Sequence, residues 1–334
     1  MTTIARVARH AGVSPTTVSH TLNQPGRVSP HLRARVLKAI EELGYTPNAH
    51  AKSLRTGKTN NVALLIPDIL NPFYTEIVNT AQHLLSAAGR EVLILNADVP
   101  SGDAQQHSRE YLSKLRARGI EGLIVGDFAL HDMYDAVRQI PVPTVFIGHL
   151  PDGGVDNVRA DDYHGCFRIG AHLAGRGHRR ILHITGPGQF PAADVRRQGF
   201  RDGATAGGMP SAGLLEYEGS YLSPSGYEGV KEAMSRHAGD PPDAVFFSNY
   251  LMLLGGLAAI HDLGLRIPDD LAVGVYGDNV GMDYIRPKLT HIGVPPSDLA
   301  RAACRMLLER LSQEYQGPPR REILDCALRV EASG

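Results

Sequence analysis

A chain of 334 residues, 43% of them hydrophobic, is long enough for a small head plus one large or two medium domains with real cores. Its net charge of −1 hides a basic head on an acidic body: residues 1–60 hold nine Lys/Arg against two acids, a net of +7, which leaves −8 for the remainder. No apolar run is long enough to span a bilayer, and the N-terminus lacks the charged-then-apolar pattern of a secretory signal, so a soluble, cytoplasmic protein is expected.

The stretch Thr3–Asn23, TIARVARHAGVSPTTVSHTLN, reads as two short helices joined by a tight turn. Ala5, Val7 and Ala8 lie on the first helix. Gly12 follows where the chain must turn, because glycine costs little at positive φ. Ser14 supplies an N-cap and Pro15 the first helical position, where its missing N–H is no loss. Val18 and Leu22 lie four apart and can pack on Ala8 and Val13. Thr16, Thr17, Ser19 and His20 are left facing outward, short polar groups suited to base edges and phosphates. Ser29-Pro30 opens a third helix by the same device. Leu32, Val36, Ile40 and Leu43 form its apolar stripe, and Gly44 closes it. Three such helices make a compact module of the helix-turn-helix kind, whose second helix enters a DNA major groove. The basic charge agrees, since phosphate contact releases counterions and an acidic body is kept off the DNA.

Tyr45–Asn61 is polar and basic and reads as a linker with one short helix, roughly Asn48 to Leu54. Leu54 is its large apolar residue, between Lys52 and Arg55. Two readings stand: a leucine that packs on the head, or a wedge pushed into a minor-groove base step.

From Asn61 short apolar runs alternate with helical stretches. Val62–Ile66, Glu91–Leu95, Gly122–Val125 and Thr144–Ile147 read as strands, with helices over Asn71–Gly89, Asp103–Arg118 and Leu130–Gln139. The series then repeats, with strands at Ile181–Ile184, Leu214–Tyr217, Ala244–Phe247 and Leu271–Tyr276. Helices span Gly165–Gly175, Ala193–Ala206, Ser223–His237 and Leu251–Leu263. A break near Asp156–Asp161 separates the runs. A further helix (Asp298–Tyr315), a Gly-Pro-Pro turn and a last strand near Glu322–Val330 complete the chain. Alternating strands and helices imply parallel sheets covered on both faces. The fold class is therefore α/β: an all-α head and a body of two doubly wound parallel-sheet subdomains, with a ligand cleft at the strands' carboxyl ends.

Catalytic and metal chemistry find no support. Gly57-Lys58-Thr59 resembles the end of a phosphate loop, but the first glycine would fall at Lys52 and no strand precedes it. Gly186–Phe190, GPGQF, is no dinucleotide fingerprint. Fifteen histidines show no helical His-x-x-x-His pair or cysteine neighbours, and His178 reads as a loop residue. Cys166, Cys304 and Cys326 show neither pairing nor metal spacing and are expected as buried thiols. No cofactor or metal is expected, and the protein is not expected to be an enzyme.

The whole chain resembles the lactose-repressor/galactose-repressor family of bacterial transcription regulators. The resemblance rests, in order, on VARHAGVSPTTVSHTLN, VSPHLRARVLKAIEELGYTPNAHAKSLRTGKT, IPDILNPFYTEIV, GHRRILHITGP, RRQGF, SNYLMLLGGLAAIHDLGLRIPDD and PKLTHIGVP. It implies a homodimer on a partly palindromic operator. It also implies a periplasmic-binding-protein-like body that couples a small effector, a sugar, sugar derivative or sugar phosphate first and a nucleobase or other metabolite next, to operator affinity. The implied division is a head over 1–46, a linker with a hinge helix over 47–60 and a core over 61–334. Within the core, one subdomain takes 61–160 plus about 292–318, and the other 161–291 plus about 319–334.

Carried over by position, Pro15, Thr16 and His20 are base readers, and Thr17 and Ser19 suit phosphates. Leu54 falls on the family's minor-groove leucine. Thr3, Ser14, Asn23, Arg27, Ala51 and Arg55 complete the DNA side. Pro15 departs from the usual chemistry, because it can offer a base only apolar contact. In the cleft, Arg196 matches the arginine that grips polar groups of the ligand. Phe73 and Tyr221 match aromatic walls, Asn249 a polar lining residue, and Asp127 is placed with them. Tyr250 stands where Asp is common and could add a third aromatic wall. Tyr276-Gly277-Asp278 replaces the usual Phe/Tyr-Asp-Asp, which leaves open whether Gly277 or Asp278 takes the ligand-binding position. The alternative, a sugar-binding protein without a DNA role, leaves the basic head unexplained.

Overall fold

The computed structural model describes residues 2–45, 59–96, 118–127, 137–150 and 153–334. The chain forms two compact units, one ending at Thr59 and the other running Asn60–Gly334.

The first unit holds helices α1 (Ile4–Ala11), α2 (Pro15–Asn23) and α3 (Pro30–Glu42). The Thr3 hydroxyl caps α1 by accepting from Arg6 N at 3.3 Å. Gly12 takes φ +62°, and a Cβ there would lie 2.7 Å from Arg35 Nη2. That guanidinium donates to the Ala11 carbonyl at 2.6 Å, so α3 locks the turn. Ser14 caps α2 by accepting from Thr17 N at 3.1 Å. Val7, Ala8, Ala11, Val18, Val36 and Ala39 form the core, with Ile4, Val13, Leu22, Ile40 and Leu43 around it. One expectation fails: Ser29 makes no side-chain cap. The start of α3 relies on the Ser29 carbonyl, which accepts from Arg33 N at 3.0 Å, and on the pre-set φ of Pro30.

The second unit is built on two six-stranded sheets. The first contains β1 (Asn61–Ile66), β2 (Glu91–Asn96), β3 (Gly122–Val125), β4 (Thr144–Ile147), β5 (Asp156–Ala160) and β11 (Arg321–Leu324). Its order is β11-β5-β4-β3-β1-β2, with parallel pairing throughout. The second contains β6 (Ile181–Thr185), β7 (Leu214–Glu218), β8 (Ala244–Phe247), β9 (Ala272–Tyr276), β10 (Thr290–Gly293) and β12 (Ala327–Arg329), in the order β12-β10-β9-β8-β6-β7. Only β12, against β10, runs antiparallel among these pairs. Helices α4 (Pro72–Ala87) and α9 (Pro296–Leu311) pack on the first lobe. Helices α5 (Asp162–Gly175), α6 (Pro191–Ala206), α7 (Ser223–Arg236) and α8 (Tyr250–Asp262) pack on the second. One buried cluster runs through both lobes, and two more cover the outer sheet faces. Most of each helix expected over Asp103–Arg118 and Leu130–Gln139 lies outside the described residues, and Arg118 itself is in a turn.

Two expectations are corrected. The break expected near Asp156–Asp161 is strand β5 of the first sheet. The last strand expected near Glu322–Val330 is two strands in different sheets, so part of 319–334 belongs to the first lobe. Asp156 supplies the physical reason. It is 2% exposed and accepts from Arg310 Nη2 at 2.8 Å, Arg320 N at 2.8 Å and Arg320 Nη2 at 2.9 Å. A buried carboxylate held by two guanidinium groups pins the chain around 310–320 beside β5.

Candidate DNA-reading helix and effector cleft

In the head, Pro15 and Thr16 are exposed at the start of α2, and His20 is half-exposed one turn on. Other expected DNA-side residues carry local duties. Thr3 and Ser14 cap helices, and the Ser14 and Thr17 hydroxyls pair at 2.9 Å. Asn23 Nδ2 donates to the Ser19 carbonyl at 2.8 Å. Arg27 is exposed. A capping hydroxyl at a helix N-terminus leaves free backbone N–H groups beside it, which suit phosphate. Ala51, Leu54 and Arg55 lie outside the described residues.

In the body, the carboxyl ends of β1, β3, β4 and β5 face those of β6, β7, β8 and β9 across a cavity of about 250 Å³. Phe73, Asp127, Arg196, Tyr221, Asn249 and Tyr250, all expected on the cleft, line it together. Asp278 does not: its neighbours Gly277 and Asn279 face the cavity. The Asp278 carboxylate turns instead to His291 Nε2 at 3.7 Å and Arg329 Nη2 at 3.5 Å. The physical reason is the left-handed φ of +133° at Gly277, which rotates the following side chain away.

Six aromatic rings of the described lining wall the cavity: Phe73, Tyr74, Phe190, Tyr221, Tyr250 and Tyr276. Phe73 packs edge-on to Tyr74, centroids 5.0 Å apart, and Phe190 edge-on to Tyr221 at 5.4 Å. Tyr221 is strained, with φ +63°, a conformation that costs about 1–3 kcal/mol for a bulky residue. Asn249 holds it there: its Nδ2 donates to the Tyr221 carbonyl at 2.8 Å, while its Oδ1 caps α8 through Met252 N at 2.9 Å. The amide expected to touch a ligand is thus also a clamp. Gly186 of the GPGQF loop makes room for the ring, because a Cβ there would lie 2.0 Å from Tyr221 Cζ. Among the described residues the Tyr221 hydroxyl and Asn279 Oδ1 are buried without a hydrogen-bond partner. Burial pushes the Tyr221 phenol well above its ordinary range, so it stays protonated and can donate.

At the cleft floor a chain of charged groups links the lobes. Arg159 Nη1 donates to His149 Nδ1 at 3.3 Å, and His149 Nε2 donates to Asp162 Oδ2 at 2.5 Å. Arg196 Nε donates to Asp162 Oδ1 at 2.6 Å and its Nη1 to the Ser248 carbonyl at 3.0 Å. The guanidinium lies 3.7 Å over the Tyr276 ring. Burial alone would raise the Asp162 pKa, but the Arg196 charge and the His149 hydrogen bond outweigh it and hold the carboxyl well below the usual range. Likewise burial disfavours the Arg196 cation, and Asp162 more than compensates.

Asp162, His149, Arg159, Phe190 and Asn279 were not legible as site residues. Asp162 had one signal, an Asp-Asp pair opening a helix. Asp161 is the one that caps it, through His164 N at 3.4 Å, and this frees Asp162 for the cleft. The pair meets Arg196 because α5 and α6 touch through glycines. A Cβ on Gly199 would lie 2.3 Å from the Tyr163 carbonyl oxygen, and one on Gly203 2.0 Å from that of Phe167.

Comparison with known proteins agrees with this architecture. The family of bacterial regulatory proteins, lacI family, matches residues 3–48, and a periplasmic binding protein-like domain matches residues 171–333. The ribose operon repressor of Escherichia coli is 32% identical over 316 residues, 94% of each chain. The transcriptional repressor PurR of Photorhabdus laumondii is 31% identical over 315 residues, 93% of this chain and 91% of that one. The complex of the regulator CelR with cellobiose is similar over 100% of both chains, with 29% identity and a TM-score of 0.72. The lac repressor dimer bound to operator and anti-inducer superposes with a TM-score of 0.87 over 99% of this chain and 98% of that one, at 24% identity. With a helix-turn-helix head, a two-lobed cleft and relatives matched along nearly the whole chain, the protein belongs to the lacI family of bacterial regulatory proteins.

Proposed function

We propose that this protein is a transcriptional repressor that binds a partly palindromic operator as a homodimer, with operator affinity set by a small polar effector in the cleft. One observation carries the reading: a head of net charge +7 is joined in one chain to a body that encloses an aromatic-walled cavity with unsatisfied polar atoms. The cavity volume lies near the low end of small-molecule sites and suits a molecule of about one ring. Aromatic walls stack on sugar rings, and an unpartnered phenol and amide oxygen match ring hydroxyls. The relatives support the class: one represses a ribose operon and another was solved with cellobiose. These relatives are regulators, and no catalytic step is assigned to the cleft. Action on DNA places the protein in the cytoplasm. No helix among the described residues is long and apolar enough to cross a membrane.

An effector shifts the lobes only by binding one arrangement more tightly. The linker around Ala49–Leu54 would pass this on by pairing across the dimer and pressing Leu54 into the minor groove. The test is a gel shift of the purified protein with DNA upstream of its own gene, at two salt concentrations and against scrambled DNA. A sequence-dependent shift that weakens with salt is expected, and its absence would overturn the regulator reading. Leu54→Ala should weaken that shift and leave effector binding intact.

A further inference from the structure

The arginine that should grip the effector is already committed in part to the protein itself. Arg196 spends Nε on Asp162, Nη1 on the Ser248 carbonyl and one face on the Tyr276 ring. The second guanidinium of the described lining, Arg159, donates to His149, which donates to Asp162 in turn. Asp162 is 2% exposed and collects both arms of the network. The described lining as a whole carries three carboxylates, Asp68, Asp127 and Asp162, against two guanidinium groups. Holding a phosphate or carboxylate takes an open guanidinium fork. An anionic ligand that draws Arg196 toward itself competes with Asp162 for the guanidinium and leaves a buried carboxylate short of its charge partner, which is strongly unfavourable. The cavity's unsatisfied polar atoms, by contrast, are neutral: the Tyr221 hydroxyl and Asn279 Oδ1.

We propose that Asp162 acts as a charge filter, so that this cleft takes an uncharged, hydroxyl-rich effector and rejects the phosphorylated or carboxylated form of the same molecule. The inference rests on the reading of the cleft as an effector site, and it makes Asp162 a specificity-determining residue. Weakening the Arg196–Asp162 pair to hold an anion corresponds to discrimination of about tenfold or more against the charged ligand.

The experiment uses the full chain. A panel of free monosaccharides and the phosphate monoester of each is screened by thermal shift, and hits are titrated by calorimetry against wild type and Asp162→Asn. The expected result is binding of at least one free sugar by wild type and at least about tenfold weaker binding of its ester. Asp162→Asn, which keeps the shape and removes the charge, should narrow that ratio by gaining affinity for the ester. An ester that binds wild type as tightly as its free sugar overturns the filter and leaves the effector reading standing. An unchanged ratio in a folded Asp162→Asn does the same. A wild type that answers neither series overturns the sugar-effector reading and the filter with it. Should Asp162→Asn fold poorly, the wild-type ratio decides alone.

Discussion

Replacing Gly199 by alanine probes how the fold builds its cleft. Gly199 lies on α6 where that helix crosses α5, and the added Cβ would come within 2.3 Å of the Tyr163 carbonyl oxygen and 3.0 Å of its Cα. These are backbone atoms and cannot swing aside. Restoring ordinary contact requires the helices to separate by about 1 Å, and overpacking of this kind costs about 1–3 kcal/mol. Alanine returns up to about 1 kcal/mol through helix propensity. The separation also acts where Asp162 and Arg196 meet, because Asp162 precedes Tyr163 and Arg196 lies one turn before Gly199. Stretching a buried 2.6 Å ion-pair hydrogen bond adds to the cost. The expected net loss is about 1–3 kcal/mol in urea denaturation, with a lower melting temperature. Gly175→Ala is the internal control. It sits on α5 with nothing within 4 Å of its Cβ, so it should be neutral or slightly stabilising. If the two variants show the same stability, helix contact is not what holds this pair together.

Other outcomes follow from single groups. Tyr221→Phe removes a buried hydroxyl that has no partner, so the unliganded chain should be unchanged or up to about 1 kcal/mol more stable, while effector affinity falls severalfold. A destabilised variant with unaltered affinity would contradict this. Ser14→Ala deletes the cap that accepts from Thr17 N and should cost the head about 1 kcal/mol. Its operator binding should weaken evenly across operator variants, and a changed base preference would instead make Ser14 a base reader. His183 is buried between Phe200 and Phe246, bonds Ser248 Oγ at 2.8 Å, and is pushed down to about 3 by that burial. Its folded pKa lies below its unfolded one, so between about pH 6.5 and 3 the unfolded chain binds the extra proton. Stability should therefore fall on acidification through that window, by at most about 1.4 kcal/mol per pH unit. His183→Gln should flatten the urea midpoint over the same range, and an equal slope in the variant would locate the titration elsewhere.

Much of the head was legible because its determinants are local. Thr3 and Ser14 sit beside the N–H groups they cap, Gly12 takes the positive φ its turn requires, and Val18 and Leu22 face the core at helical spacing. Ser29 shows the limit of that logic, since a favourable residue beside a proline still leaves its hydroxyl unused. In the body, the alternating apolar runs mark the strands, and the residues just past them mark a cleft that Phe73, Arg196, Tyr221 and Tyr250 do line. Asp278 was ambiguous by one position, and the backbone at Gly277 decides such a question.

By itself, then, the sequence determined most element types, the caps of α1 and α2, the basic head and most of the side chains at strand ends, since each depends on neighbours a few residues away. Tertiary structure alone decided which sheet receives β5, β11 and β12. The anchor for β5 and β11 is Asp156, paired with arginines 154 and 164 positions along the chain. It alone decided, too, that Arg196 faces Asp162 across two helices packed through glycine. Both are long-range pairings of charge, and no local periodicity records which carboxylate a folded chain will bring to a given guanidinium.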